Sequence, residues 1–393
     1  MEHTEVAVVG AGVVGCAIAR SLAPDHDVTV IERGQVAGGA TGKASGIISP
    51  QLEYEFAPEA AEHALAFVER YDGHRNVDYT ERPFVLLVAP DQTADARAYA
   101  DLVSSNGFEA TYLDSDAIEE RFPDVFDLST FAGGIVVERS GWLDPYTFST
   151  ALLEDALEQG ARLETGTEVE AIRGTNDRVD GVETANDRIR ADTVVVAAGW
   201  RTRPLLADIV EVPVRPERYQ TVNLETDREL DERFPMASAS DPSHYWRPEH
   251  NGDLHVGGGA HFVTQPGAVQ TNADETFLRE VAMATPDRIK GLDTARVASD
   301  DVCPTGDAVT PDRYPVLDAP AVAPDGLVVA TGFSGYGVMA SPFAGATVRS
   351  LVTDEEPPFS TAHFSLGRFE NRSADFERPS FPWFRAHRPM SMG

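Results

Sequence analysis

The chain is short of the residues that build cross-links and cationic surfaces. Its 393 residues include two cysteines, Cys16 and Cys303. That is too few for a disulfide framework or a four-cysteine metal site, and a reducing compartment fits them best. Lysine is nearly missing, with only Lys43 and Lys290 present. Asp plus Glu total 64 against 32 for Lys plus Arg, a formal net charge of −32. Such a surface repels phosphate backbones, which argues against nucleic acid or an anionic membrane as partner. The acids are scattered rather than gathered in a tail, so the chain reads as a hydrated surface suited to a salt-rich cytoplasm. No run approaches the roughly 20 apolar residues that span a bilayer, so no membrane insertion is expected. Met1 to Glu5 carries no basic region ahead of strand sequence, so a signal peptide is not expected either. The histidines show no His-Glu-x-x-His spacing, and Gly-x-Ser-x-Gly is absent; zinc hydrolysis and serine hydrolysis are unsupported.

What is present is enough apolar sequence for sizeable cores, 42% by residue, and a length that favours two intertwined domains. Glu5–Val9 is a β-branched run suited to a buried parallel strand, Gly12–Leu22 a small-residue helix and Asp27–Ile31 a second strand. Helical sequence follows from about Pro58 to Tyr71. Phe84–Ala89, Ile135–Glu138, Tyr219–Leu224 and Asp253–Val256 read as strands of a different part, with a helix at Asp91–Ser105 and another at Ala273–Ala284. Asp144, Pro145 and Gly160 fit the cap, first turn and stop of a helix. Beyond it, Thr167–Ile172, Val179–Thr184 and Thr193–Ala197 read as strands. Leu327–Ala330 is a buried strand ahead of a helix at about Ala340–Leu351. The sequence beyond Pro357 has no periodicity. It reads as a surface wrap or as partly disordered, and Phe381, Trp383 and Phe384 make it a candidate lid.

Four glycine-rich constellations carry chemistry. In Gly10-Ala11-Gly12-Val13-Val14-Gly15, Gly10 permits the tight turn, Gly12 lets backbone approach a pyrophosphate, and Gly15 lets helix and strand pack closely. The helix N-terminus offers N–H groups and a positive dipole end to phosphate. Glu32 closes the next strand, where a carboxylate accepts both hydroxyls of an adenosine ribose. Gly38–Ile48 is a loop of small and hydroxyl residues, compatible with a second phosphate or simply with a loop. Thr193–Gly199 is an apolar strand ending in small residues, as at the ligand-binding edge of a parallel sheet. Thr331–Val338 places three glycines before a helix, a second anion-accepting turn.

Taken together and in this order, these segments resemble the FAD-dependent D-amino-acid oxidase superfamily, in particular its glycine oxidase, sarcosine oxidase and dimethylglycine dehydrogenase branch. The likeness also draws on Glu168-Val169, Trp200 and Thr310-Pro311-Asp312, and covers residues 6 to about 350. It implies an α/β fold with a Rossmann-like FAD-binding domain (1–80, 144–210 and 306–360), interleaved with an α+β substrate domain built on a large mixed sheet (81–143 and 211–305), and a C-terminal tail (361–393). The FAD-binding residues it implies begin with Gly10, Gly12, Val14, Gly15, Glu32 and Arg33. They continue with Thr41, Ser45, Gly46, Ile48, Val169 (through its backbone), Ala198 and Gly199, and end with Gly332, Gly335, Tyr336, Gly337 and Val338.

For the active site, Tyr245-Trp246-Arg247-Pro248 and Asp253–Gly258 look like paired substrate-sheet strands. Alternation puts Tyr245 and Arg247 on one face, where an arginine fork suits a carboxylate; a plain surface arginine is the alternative. Three departures from the branch stand out. Glycine oxidases carry an arginine anchor where this chain has Asp301-Val302-Cys303-Pro304, so that anchor is either absent or supplied elsewhere, by Arg247 or Arg296. The flavin-linking cysteine of sarcosine oxidases lies two positions out of register with Cys303, which favours non-covalent FAD. The lysine those oxidases hold beside the flavin is His255 here, a less certain cation for activating oxygen, which tilts the reading toward a dehydrogenase. The expected activity is oxidation of a small amino acid or N-methylated amino acid carrying a carboxylate, to an imine that water hydrolyses. The alternatives are oxidation of a 2-hydroxy acid or glycerol phosphate, or a flavin subunit of a multi-protein dehydrogenase that passes electrons to a partner.

Overall fold

In a computed structural model, the structure describes residues 3–231, 233–240, 243–264, 271–302 and 306–379. The first fully apolar runs form a parallel sheet. The strands Arg162–Glu164, Val28–Ile31, His3–Val9, Arg188–Val196 and Leu327–Thr331 lie side by side in that order, all parallel. An antiparallel meander, Val169–Gly174 and Val179–Thr184, extends from the outer half of Arg188–Val196. The strands are continuous Val/Ile runs because both faces are covered. One face carries the helices Val13–Leu22, Pro145–Glu158 and Gly337–Thr353, packed on one another.

Local chemistry explains the helix ends. Asp144 caps Pro145–Glu158 by accepting from Thr147 N at 2.7 Å, with Pro145 at the first position. Gly160 ends it with a positive φ of 99°. The last helix begins at Gly337, ahead of the Ala340 expected from sequence, and tolerates Pro342 inside it. Proline cannot donate to the Val338 carbonyl one turn back, and the Ser341 hydroxyl donates to that oxygen instead at 2.9 Å.

The second sheet is mixed and has nine strands among the described residues. Its order runs Arg296–Val302, Arg215–Glu225, Leu254–Phe262, Ser243–Pro248, Met236–Ser240, Phe84–Val88, Gly133–Val137 and Ala110–Asp114, with Asp307–Val309 also paired to Arg215–Glu217. Met236–Ser240 and Phe84–Val88 are its parallel pair. A small sheet of Ile47–Ile48, Gly141–Trp142 and Thr80–Glu81 joins the two large ones. It fixes Ser45 and Gly46 between them: Leu143 N donates to the Gly46 carbonyl, and Gly46 has φ 68°.

The described part of the tail is pinned down. Phe364 is fully buried and stacks on Phe343 at 5.0 Å, a burial worth roughly 1.5–3 kcal/mol. Arg368 grips Asp312 through two hydrogen bonds of 2.7 and 3.1 Å, and Arg378 pairs with Glu217. The proposed lid residues Phe381, Trp383 and Phe384 lie outside the described residues, as does Cys303. No helix among the described residues is long and apolar enough to cross a membrane.

Candidate active site

The carboxyl ends of the parallel strands open into an elongated cavity of about 1010 Å³. Gly10, Gly12, Val14, Glu32, Arg33 and Thr41 line it, together with Val169, Ala198, Gly199, Gly335, Gly337 and Val338. Gly10 has φ 110°, and a Cβ there would stand 2.6 Å from the Ala197 carbonyl oxygen, so no larger residue fits. Gly15 lies behind the lining, where a Cβ would run into the Gly10 carbonyl. Gly332 is likewise a packing position, against Thr310, and Ile48 is buried in the small sheet.

The cradle's chemistry fits a dinucleotide. The Thr41 hydroxyl accepts from Val13 N at 3.1 Å, tying the Gly38–Ile48 loop to the helix N-terminus. The Glu32 carboxylate accepts from Ala11 N at 2.9 Å and Gly34 N at 2.8 Å, which fixes it at the strand end with lone pairs left for ribose hydroxyls. At the far end, Gly332, Ser334 and Gly335 all have positive φ. This turn brings the Gly337–Thr353 helix N-terminus to the cavity, where its dipole favours negative charge.

A second, small cavity of about 120 Å³ adjoins this end. By water-sized groups of roughly 10–15 Å³ each, it has room for on the order of ten heavy atoms. Ser45, Gly46, Tyr245, Gly335, Tyr336 and Val338 are among its lining residues, so it sits between the two large sheets and beside the cofactor cradle. Sequence reasoning did not single out the charged residues lining it: Glu53, Asp307, Arg313 and Lys43. Arg313 follows the Thr310-Pro311-Asp312 motif directly but gives no sign of its direction. Its φ of 69° turns it inward, where it donates to the Tyr336 hydroxyl at 2.9 Å and the Ser334 carbonyl at 3.1 Å. Lys43 pairs with Asp301 at 2.6 Å.

Tyr245, Arg247 and His255 all converge on Ser45. The Arg247 Nε donates to the Ser45 carbonyl at 2.7 Å, its Nη1 pairs with Glu249 at 2.9 Å, and the guanidinium lies over Trp142 at 4.1 Å. Arg247 is therefore committed to the loop and lies outside the lining of the small cavity. His255 is buried, and burial followed by the nearby Arg247 charge pushes its pKa well below the ordinary value. A neutral ring has one donor. Nδ1 faces the Asn223 carbonyl oxygen at 2.7 Å and Nε2 the Ser45 hydroxyl at 2.7 Å. The protons thus run in one direction, from the Tyr245 hydroxyl, 2.8 Å from Ser45 Oγ, through Ser45 to His255 and on to Asn223. Cys16 is buried behind the cradle, and its thiol is pushed up to about 12, mainly by burial, so it has no part in this chemistry.

A Rossmann-type parallel sheet with a dinucleotide cradle, roofed by a mixed sheet over a small polar cavity, defines a flavoprotein oxidoreductase architecture. The family described as FAD dependent oxidoreductase matches residues 5–351, and the chain belongs to it, as the motifs led us to expect; FAD is its cofactor. The 4-methylaminobutanoate oxidase (formaldehyde-forming) of Paenarthrobacter nicotinovorans is 26% identical over 93% of this chain and 46% of its own length. Human mitochondrial dimethylglycine dehydrogenase is 24% identical over 94% of this chain and 44% of its own. The chain thus spans less than half the length of these curated relatives, whereas glycine oxidase of Pseudomonas aeruginosa, 26% identical, is covered over 98% of its length. Among solved structures, L-proline dehydrogenase from P. horikoshii superposes with a TM-score of 0.84 at 24% identity, covering 94% of this chain and 98% of that one. Glycine oxidase from Geobacillus kaustophilus gives 0.82 at 23%, covering 94% and 100%. These two likenesses concern the fold.

Proposed function

We propose that the protein oxidises a small amino acid or N-methylated amino acid: the ammonium nitrogen gives up a proton to solvent, a hydride leaves the α- or N-methyl carbon, and water hydrolyses the iminium that remains. The observation that carries this reading is the small cavity, which joins the cofactor cradle and presents Arg313, Tyr245 and Tyr336 to a ligand of few atoms. When bound, non-covalently in this reading, FAD supplies the two-electron acceptor. The chain's own residues do the rest. Arg313 holds the carboxylate, and Tyr245, whose one proton goes to Ser45, only walls the cavity. Arg247 positions the Ser45 loop rather than touching substrate, which shifts to Arg313 the anchoring role expected of Arg247 from sequence. The helix N-terminus at Gly337 would favour negative charge at this end of the cradle.

A neutral His255, bonded on both ring nitrogens, gives oxygen no fixed cation. This favours a dehydrogenase over an oxidase. A flavin subunit of a larger assembly is the second reading, because sarcosine oxidase subunit beta of an Arthrobacter species is 25% identical over 93% of this chain and 91% of its own length. The scattered acids support a salt-rich cytoplasm as the setting.

The test is the visible spectrum of purified protein with FAD in concentrated KCl, recorded anaerobically as sarcosine, dimethylglycine, proline and D-amino acids are added in turn. Bleaching by one of them is the expected result, and slow recovery in air identifies a dehydrogenase. A flavin spectrum that 2-hydroxy acids bleach and no amine does overturns the reading; one that neither bleaches favours the missing-partner assembly.

A further inference from the structure

Asp307 lines both the cofactor cavity and the small cavity, at the point where they meet. Its two oxygens accept from Ala308 N at 2.7 Å and Gly335 N at 2.5 Å, which fixes the carboxylate in place. Part of its surface stays free at the cavity wall. Among the described residues no arginine or lysine forms an ion pair with it. Glu53, the other carboxylate lining the small cavity, is differently placed: it hydrogen-bonds Tyr336 and lies in the field of Arg313.

Resting on the amine reading above, we propose that Asp307 holds the positively charged nitrogen of the substrate, so that the cavity selects a carboxylate joined to an ammonium over an uncharged or hydroxyl analogue. Arg313 and Asp307 then supply opposite charges to opposite ends of one small zwitterion. An ionised carboxylate walled away from water is costly without a cation, and the substrate nitrogen relieves that cost. The charge-assisted hydrogen bond that results is of the stronger kind. A hydroxy acid in the same place offers no cation and leaves Asp307 uncompensated.

The groups around Asp307 set its pH behaviour. Burial raises its carboxyl to about 6, Glu217 adds to the rise, and the backbone N–H bonds and Arg313 oppose it. Glu217 is itself paired with Arg378, and the Tyr219 and Tyr54 hydroxyls also lie within the field of Asp307. Lys43 is held by Asp301. Since the folded carboxyl titrates high, its charge is present above about pH 6 and lost as pH falls through that value.

Two isosteres test this on the FAD-loaded protein. Trimethylglycine and 3,3-dimethylbutanoate have the same shape and differ by the positive charge at the quaternary centre. Binding is read from the perturbed flavin spectrum. Trimethylglycine has no N–H, so it reads the charge attraction alone; it should bind about tenfold or more tightly at pH 8, and the ratio should shrink roughly fourfold by pH 5.5 as Asp307 is protonated. Asp307→Asn should erase both the preference and its pH dependence; if that variant fails to hold FAD, the wild-type pH profile decides alone. A ratio near one at pH 8, failure of both ligands to bind, or a preference that survives Asp307→Asn overturns the assignment. Such a result beside bleaching by an amine removes Asp307 and leaves the amine reading intact, whereas bleaching by hydroxy acids alone removes that reading.

Discussion

Arg368→Ala tests whether the C-terminal segment is structural. Arg368 donates to both oxygens of Asp312, to the Tyr314 carbonyl at 2.6 Å and to the Ser365 carbonyl at 2.9 Å. The paired side chains retain only 10% and 13% of their surface, so the pair is not discounted as an exposed one would be. Removing one partner of a buried pair costs about 3–5 kcal/mol, because the other charge is left without compensation. At roughly 2.1 cal/mol/K per residue, 393 residues give an unfolding entropy of about 0.8 kcal/mol/K, so the midpoint should fall by about 4–6 °C. Thermal melts followed by circular dichroism, with FAD saturating in both proteins, measure this. Adding Asp312→Asn to Arg368→Ala should recover part of the loss, since no charge is then stranded. A shift below about 1 °C would refute the reasoning and leave residues 359–379 as a loosely laid strap. The Asp312 loop also carries Arg313 into the small cavity, so affinity for a carboxylate ligand should weaken in the same variant.

Two other perturbations follow from the packing of the chain. In Gly15→Ala the new methyl collides with the Gly10 carbonyl, which should deform the pyrophosphate turn and raise the FAD dissociation constant at least tenfold; unchanged quenching of FAD fluorescence on binding would contradict this. His244 is buried against Phe277 with neither ring nitrogen hydrogen-bonded among the described residues, and burial, then Arg288, lowers its pKa to about 4. Its contribution to stability is complete above the unfolded value near 6.5 and is lost as pH falls toward 4, worth about 3 kcal/mol over that window. His244→Phe should flatten this part of the acid limb in urea titrations at pH 7 and pH 4.5, and an identical pH dependence in the variant would show that other groups carry it.

The cofactor cradle was legible in the chain because its requirements are local. A tight turn at Gly10, close packing at Gly15 and a carboxylate at the end of the next strand each depend on residues a short distance apart, and the backbone conformations they need exclude most alternatives. The β-branched runs and the Asp144–Gly160 helix signals were readable for the same reason, since periodicity and caps act within a few turns. The small cavity was not. Its wall is assembled from Ser45, Glu53, Tyr245, Asp307 and Arg313, which come from separated segments, and only their packing decides which side chains face inward. Strand alternation placed Tyr245 and Arg247 together, yet the Ser45 carbonyl, Glu249 and the Trp142 ring draw the longer side chain elsewhere. Arg313 points inward because its backbone takes a left-handed φ held by Arg368 on the preceding residue, a contact across 56 positions of sequence. By itself the sequence determined that this chain binds FAD on a parallel sheet. The tertiary structure decided which charges meet beside it, because burial and pairing are properties of the assembled interior and not of any one segment.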